Sequence, residues 1–146
     1  MPRVEATPFT SPDKLVPIGP TVRVHMSSKP DFKSQSKQQT SHPIKEAWAL
    51  VDTGANASSI DSELAQDLGL RPVDQQIVAG VSGEHTMSLF LARIYVPELK
   101  HAINGRFVGV HLKEGGQIHD VLLGRDFLSD HVMIYDGVTS RVTLLK

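Results

Sequence analysis

Apolar and polar residues alternate in short stretches along this chain, and only one stretch spaces them as a helix would. Thr21-Val22-Arg23-Val24-His25-Met26-Ser27 sets an apolar side chain at every second position, the period of a strand with one buried face. Lys45 to Val51 is a second strand, closing on Ala49-Leu50-Val51. Ser58-Ser59-Ile60 then leads into Asp61-Ser62-Glu63-Leu64-Ala65-Gln66-Asp67-Leu68-Gly69-Leu70. There Asp61 is placed to cap a helix, Glu63 suits its first turn, Leu64 and Leu68 share a face, and Gly69 stands where the helix should stop before Pro72. Gln75 to Val81 and Glu84 to Tyr95 read as strands around a glycine-bracketed tip, Gly80-Val81-Ser82-Gly83. Phe107 to Leu112 is a further strand, expected to follow a turn at Asn104-Gly105. Val121-Leu122-Leu123 is an apolar strand broken by Gly124, with a short helical turn after it. His131 to Tyr135 and Arg141 to Leu145 flank Asp136-Gly137 as a C-terminal hairpin.

The chain has 146 residues, 40% of them apolar, enough for one domain with a real core and too few for two large lobes. Seven of the nine prolines fall in residues 1–43, so residues 1–20 are expected to be an extended or disordered arm ahead of a domain spanning 21–146. Ser28 to His42 is polar and aperiodic, and reads as a long flexible hairpin loop. The net charge of −1 hides an imbalance. Residues 1–45 carry seven Lys/Arg against three Asp/Glu, whereas 46–146 carry eight against thirteen. Only Phe9 and Phe32 accompany the basic arm, too few aromatics for a single-strand nucleic-acid platform, and no overall field favours nucleic acid or an anionic membrane.

The absence of cysteine excludes disulfides, thiolate zinc sites and a cysteine nucleophile. Seven histidines are present without metal-ligand spacing, so neither a metal nor another cofactor is expected. No segment approaches the ~18 apolar residues of a membrane span, and the N-terminus lacks a signal-peptide core. The expected setting is therefore the cytoplasm.

Candidate chemistry gathers at one place. Ala49-Leu50-Val51 is an apolar run ending in Asp52, Thr53 and Gly54. A buried, unpaired carboxylate costs several kcal/mol, so an aspartate at the end of such a strand implies a partner or a task. Thr53 can hydrogen-bond locally, and Gly54 lets a backbone come close. The same three residues also make an ordinary turn. A serine hydrolase using Ser82 is a rival. Gly80-Val81-Ser82-Gly83-Glu84 nears the nucleophile-elbow pattern, but Glu84 stands where its last glycine belongs.

On Ala49–Ala55, the Gly80–Gly83 tip and Leu122–Asp126, the chain resembles the retropepsin-like aspartic proteases over roughly residues 21–145. The resemblance implies an all-β, closed β-barrel with one or two short α-helices, and a homodimer in which each subunit gives one catalytic aspartate. Two carboxylates sharing a proton can serve as general base and general acid together. Only one Asp-Thr-Gly occurs here, so the second would be Asp52 of another copy. The resemblance makes Asp52, Thr53 and Gly54 catalytic, with Thr53 bracing across the two-fold. It gives Ala55, Asn56 and the flap residues Gly80, Val81, Ser82 and Gly83 to substrate binding. In viral members the arginine matching Arg125 pairs with an acid, but Asn56 stands there, which turns Arg125 to Asp126 or to a backbone carbonyl. The expected partners are a second copy, a peptide or protein substrate, and the chain's own N-terminal arm as a site of self-cleavage. A catalytically silent dimerisation or peptide-binding module is the alternative.

Overall fold

The computed structural model describes residues 1–8, 11–28 and 44–146. Among these, the strands are β1 (Arg3–Glu5), β2 (Thr21–Ser27), β3 (Lys45–Val51), β4 (Ser59–Asp61), β5 (Pro72–Gly80), β6 (Gly83–Val96), β7 (His101–Val110), β8 (Val121–Leu123), β9 (Val132–Asp136) and β10 (Arg141–Leu145). The helices are α1 (Leu15–Ile18), α2 (Ser62–Asp67) and α3 (Arg125–Leu128). The loop expected from Ser28 to His42 lies, beyond Ser28, outside the described residues.

The alternation seen in the sequence becomes the pleat. Val22, Val24 and Met26 of β2 are buried while Arg23 faces out, and Phe90, Ala92, Ile94 and Val96 repeat the pattern in the second half of β6. Seven strands run in the order β2-β3-β8-β4-β7-β6-β5. A short pairing of β2 with β6, His25 opposite Tyr95 to Ser27 opposite Arg93, joins the sheet back on itself as a barrel-like ring with β5 outside it. The core fills this ring with Ile60, Leu99, Leu123 and Phe127, all fully buried. A separate three-stranded sheet, β1-β10-β9, holds the two ends of the chain.

Helix α2 forms as its residues dictate. Asp61 caps it, one carboxylate oxygen accepting from Glu63 and Leu64 N–H at 3.1 and 3.3 Å. The other oxygen accepts from Leu112 and Lys113 N–H at 2.9 and 3.1 Å, so the cap also pins the chain beyond β7. Gly69, at φ 63°, ends the helix with bonds from its own N–H to Gln66 and from Leu70 N–H to Ala65.

Two expectations change. Asn104-Gly105 makes no turn. It lies inside β7, opposite Arg93 and Ala92, and the chain instead reverses at Pro97–Leu99 with Lys100 left-handed at φ 49°. The long buried stripe of β6 needs a partner along its whole length, Pro97 has no N–H to continue the ladder, and Leu99 is fully buried. The N-terminal residues are likewise ordered where they are described. Arg3–Glu5 is extended but pairs with Leu145–Thr143 of β10, while Val4, Ala6 and Leu15 are buried against the domain.

Candidate active site

Parallel pairing sets the geometry of the site. β3 and β8 lie side by side with Val51 opposite Leu123, so the residues that leave the two strands, Asp52 and Gly124, emerge together. Asp52 N–H donates to Leu123 carbonyl at 2.9 Å. Asp52 is half-buried as a residue, and its carboxylate Oδ1 accepts Gly54 N–H at 2.9 Å. Among the described residues no lysine, arginine or histidine pairs with it.

From Asp52 to Ser58 the backbone is tied to the start of α3. The Arg125 guanidinium donates to Thr53 carbonyl at 2.8 Å, which is the backbone-carbonyl choice left open by Asn56. Arg125 N–H donates to Ala55 carbonyl at 2.9 Å and Asp126 N–H to Asn56 carbonyl at 3.2 Å. The Asp126 carboxylate accepts Ser58 N–H at 2.9 Å and Ser58 Oγ–H at 2.7 Å, and Ser58 Oγ accepts Gly124 N–H at 3.0 Å. A Cβ on Gly124 would stand 2.7 Å from the backbone carbon of Ala57, so only glycine permits this approach. Ser58 and the full role of Asp126 were not foreseen from the sequence. Ser58 is one of several small polar residues in a row, and its partner is 68 residues away.

Beside this loop lies a cavity of about 260 Å³. Asn56 to Ser59 form one wall, Gln76 and Val78 of β5 and Leu89 of β6 another, and Arg106, Val108 and Val110 of β7 the third. Of the expected site residues, Asp52 to Asn56 are thus brought together at the loop, and Asn56 reaches the cavity. Gly80 to Gly83 do not line it. They form the tip of a hairpin in which Gly80 pairs with Gly83, Val81 and Ser82 make the turn, and Gly83 takes φ 108°. Ser82 Oγ lies 2.9 Å from His85 Nε2, but both residues are exposed on this ribbon, which gives a serine nucleophile no walls around it. The segment expected as a self-cleavage site is paired in a sheet at Arg3–Glu5 and would have to leave β10 first.

Two histidines, His119 buried and His101 half-buried, brace the body away from the loop. His119 Nε2 lies 2.7 Å from Thr21 Oγ1, and burial holds its pKa below the ordinary value. Burial, helped by Lys146 and His131 nearby, lowers that of His101.

An aspartate fixed at a strand end and laddered to a glycine-arginine-aspartate turn is the arrangement of the retropepsin-like aspartic protease class. The family model described as "gag-polyprotein putative aspartyl protease" matches residues 44–130, and the chain belongs to that family. The match takes in β3 to β8 and α3 and leaves β1, β2, β9 and β10 outside it. Among solved structures, the solution structure of Simian Foamy Virus (mac) protease is similar at 12% identity with a TM-score of 0.48, covering 75% of this chain and 91% of that one. No curated protein matches the chain. Among the described residues, no helix is long and apolar enough to cross a membrane, and no group of three or more His, Asp or Glu could hold a metal.

Proposed function

We propose that this protein is an aspartic endopeptidase acting as a homodimer, with a water held between two Asp52 carboxylates. One observation carries the reading. Asp52 is half-buried and set rigidly by backbone contacts, yet it has no cation to satisfy it among the described residues, beside a cavity that side chains of an extended peptide could enter. A second Asp52 completes the arrangement. Like charges a few ångströms apart share one proton, so one carboxyl activates water while the other protonates the leaving amine, and the pair titrates as a unit.

Thr53 and Gly54 would frame the two-fold axis, and Ala55 and Asn56 would bind substrate backbone. The Gly80–Gly83 tip would fold over the peptide, excluding water. The open edge of β9, with Val132, Ile134 and Tyr135 exposed, offers the strand on which a second copy can pair. Asp52→Asn should lower peptide cleavage about a thousandfold or more, with the far-UV spectrum and the sedimentation of the dimer unchanged. Full cleavage by this variant, or a wild-type chain that sediments only as a monomer with substrate present, would overturn the mechanism.

A further inference from the structure

We propose that Arg106 makes the cavity beside the Asp52 loop a subsite for a glutamate side chain of the substrate. This rests on the peptidase reading above and adds the class of residue it prefers.

The strand period sorts β7 into two faces. Phe107 and Gly109 point into the core, and a Cβ on Gly109 would strike the Phe90 ring at 2.6 Å. Arg106, Val108 and Val110 therefore share the opposite face and line the cavity together. Leu89 pairs with Val108 across β6, which extends the aliphatic floor, and Val78 borders it from β5. An aliphatic floor accepts a methylene stem, and the cation at its rim then decides what the stem should end in.

Arg106 is available for that task. Its contact with Asp74 spans 3.7 Å, both side chains are more than half exposed, and Asp74 does not itself line the cavity. Such a pair is weak and readily exchanged. A guanidinium offers a planar fork of donors that matches a carboxylate two bonds at a time, so a substrate carboxylate displaces Asp74 at little loss. Glutamate has the two methylenes to lie on Leu89 and Val108 while its carboxylate reaches the rim. Lysine would meet Arg106 with like charge. In a symmetric dimer the cavity occurs once on each side of the cleaved bond, so the preference should appear at two mirrored substrate positions.

The test uses the full chain and peptides identical except for Glu, Gln, Leu or Lys at each position flanking the cleaved bond. Cleavage is measured for the wild type, Arg106→Gln and Arg106→Lys, and peptide binding by fluorescence anisotropy for the same proteins. We expect the wild type to favour Glu over Gln by about tenfold in kcat/KM at one position on each side. The ratio should fall to about one in Arg106→Gln and lie between in Arg106→Lys, which keeps the charge and loses the fork. In the wild type it should also shrink as pH drops through about 4.3, where the substrate carboxyl takes up its proton. Equal cleavage of Glu and Gln peptides by the wild type, or a preference that survives Arg106→Gln, overturns the subsite and leaves the peptidase reading standing. Glu-selective binding that needs Arg106, with no cleavage of any peptide, keeps the subsite and overturns the peptidase reading. Neither cleavage nor selective binding overturns both.

Discussion

Two segments wall the same cavity and are held in opposite ways. From Asp52 to Ser58 the chain leaves a buried parallel strand pair, and the carbonyls of Thr53, Ala55 and Asn56 all accept hydrogen bonds from Arg125 or Asp126. Across the cavity, β5 and the first half of β6 make a two-stranded ribbon that is exposed nearly throughout, with Ile77 and Val81 in solvent. On the proposed peptidase function, the first segment carries a carboxylate that must be held to within a fraction of an ångström. The second would let a peptide in and then cover it, which calls for a backbone with few contacts to break. Rigidity and mobility would then be divided between segments rather than compromised within one.

The largest break in this comparison should come from Asp126→Ala. It strips Ser58, which is buried, of the acceptor for both its N–H and its hydroxyl, and loosens the start of α3. Charge-assisted bonds of this kind contribute about 1.5–3 kcal/mol each and the two are coupled, so we expect a loss of about 3 kcal/mol in urea unfolding. Cleavage should fall further than stability accounts for, because Asp52 loses its fixed frame. A variant as stable as wild type would show that the ladder does not hold the loop.

Next in size is a dependence on pH that acts on the braced body alone. His119 is buried, its Nδ1 has no partner, and burial lowers its folded pKa from the ordinary 6.5. The unfolded chain therefore binds a proton more readily than the folded one below about pH 6.5. The stability is present in full above that value and declines as pH falls toward the lower folded pKa. His119→Gln should flatten this decline in urea midpoints measured from pH 7.5 to 5. An unchanged slope would place the acid sensitivity elsewhere, with His101 the next group to replace, since its pKa is lowered for the same reason.

How much of this contrast could be read from the sequence depends on how far apart the partners lie. The period of Thr21–Ser27, the cap and stop of α2, and the glycine-bracketed hairpin are set by neighbours a few residues apart, and all three form as expected. The parallel pairing of β3 with β8 joins segments about seventy residues apart, and nothing in two apolar runs states which lies beside which. Pairing of β1 with β10 is more distant still, which is why three apolar residues in a proline-rich stretch, Val4, Ala6 and Leu15, gave no sign of docking. Asn104-Gly105 misled because its local turn preference is real, and the buried stripe of β6 overrode it. At the site, Asp52 stood out as a charge ending an apolar strand. The residues that hold it did not, because Ser58 and Gly124 look ordinary until the fold brings them together.

The smallest expected effect on stability is also the sharpest test of the contrast. Val78 is half-buried on the ribbon, opposite His85, lines the cavity and lies outside the buried core. Val78→Ser should therefore change the unfolding free energy by no more than about 1 kcal/mol. If the ribbon covers a bound peptide, the same side chain becomes fully buried only in the complex, and its loss should weaken substrate binding several-fold, about 1 kcal/mol or somewhat more for an aliphatic side chain that is partly buried. The change should fall on KM more than on kcat, since the loop carrying Asp52 is untouched. Amide exchange gives the matching structural readout: ribbon amides should exchange fast in the free protein and slow on adding a peptide, while those of residues 52–58 stay protected throughout. Equal protection of ribbon and loop in the free protein would dissolve the comparison, and a Val78→Ser variant with unaltered KM would remove the ribbon from substrate contact.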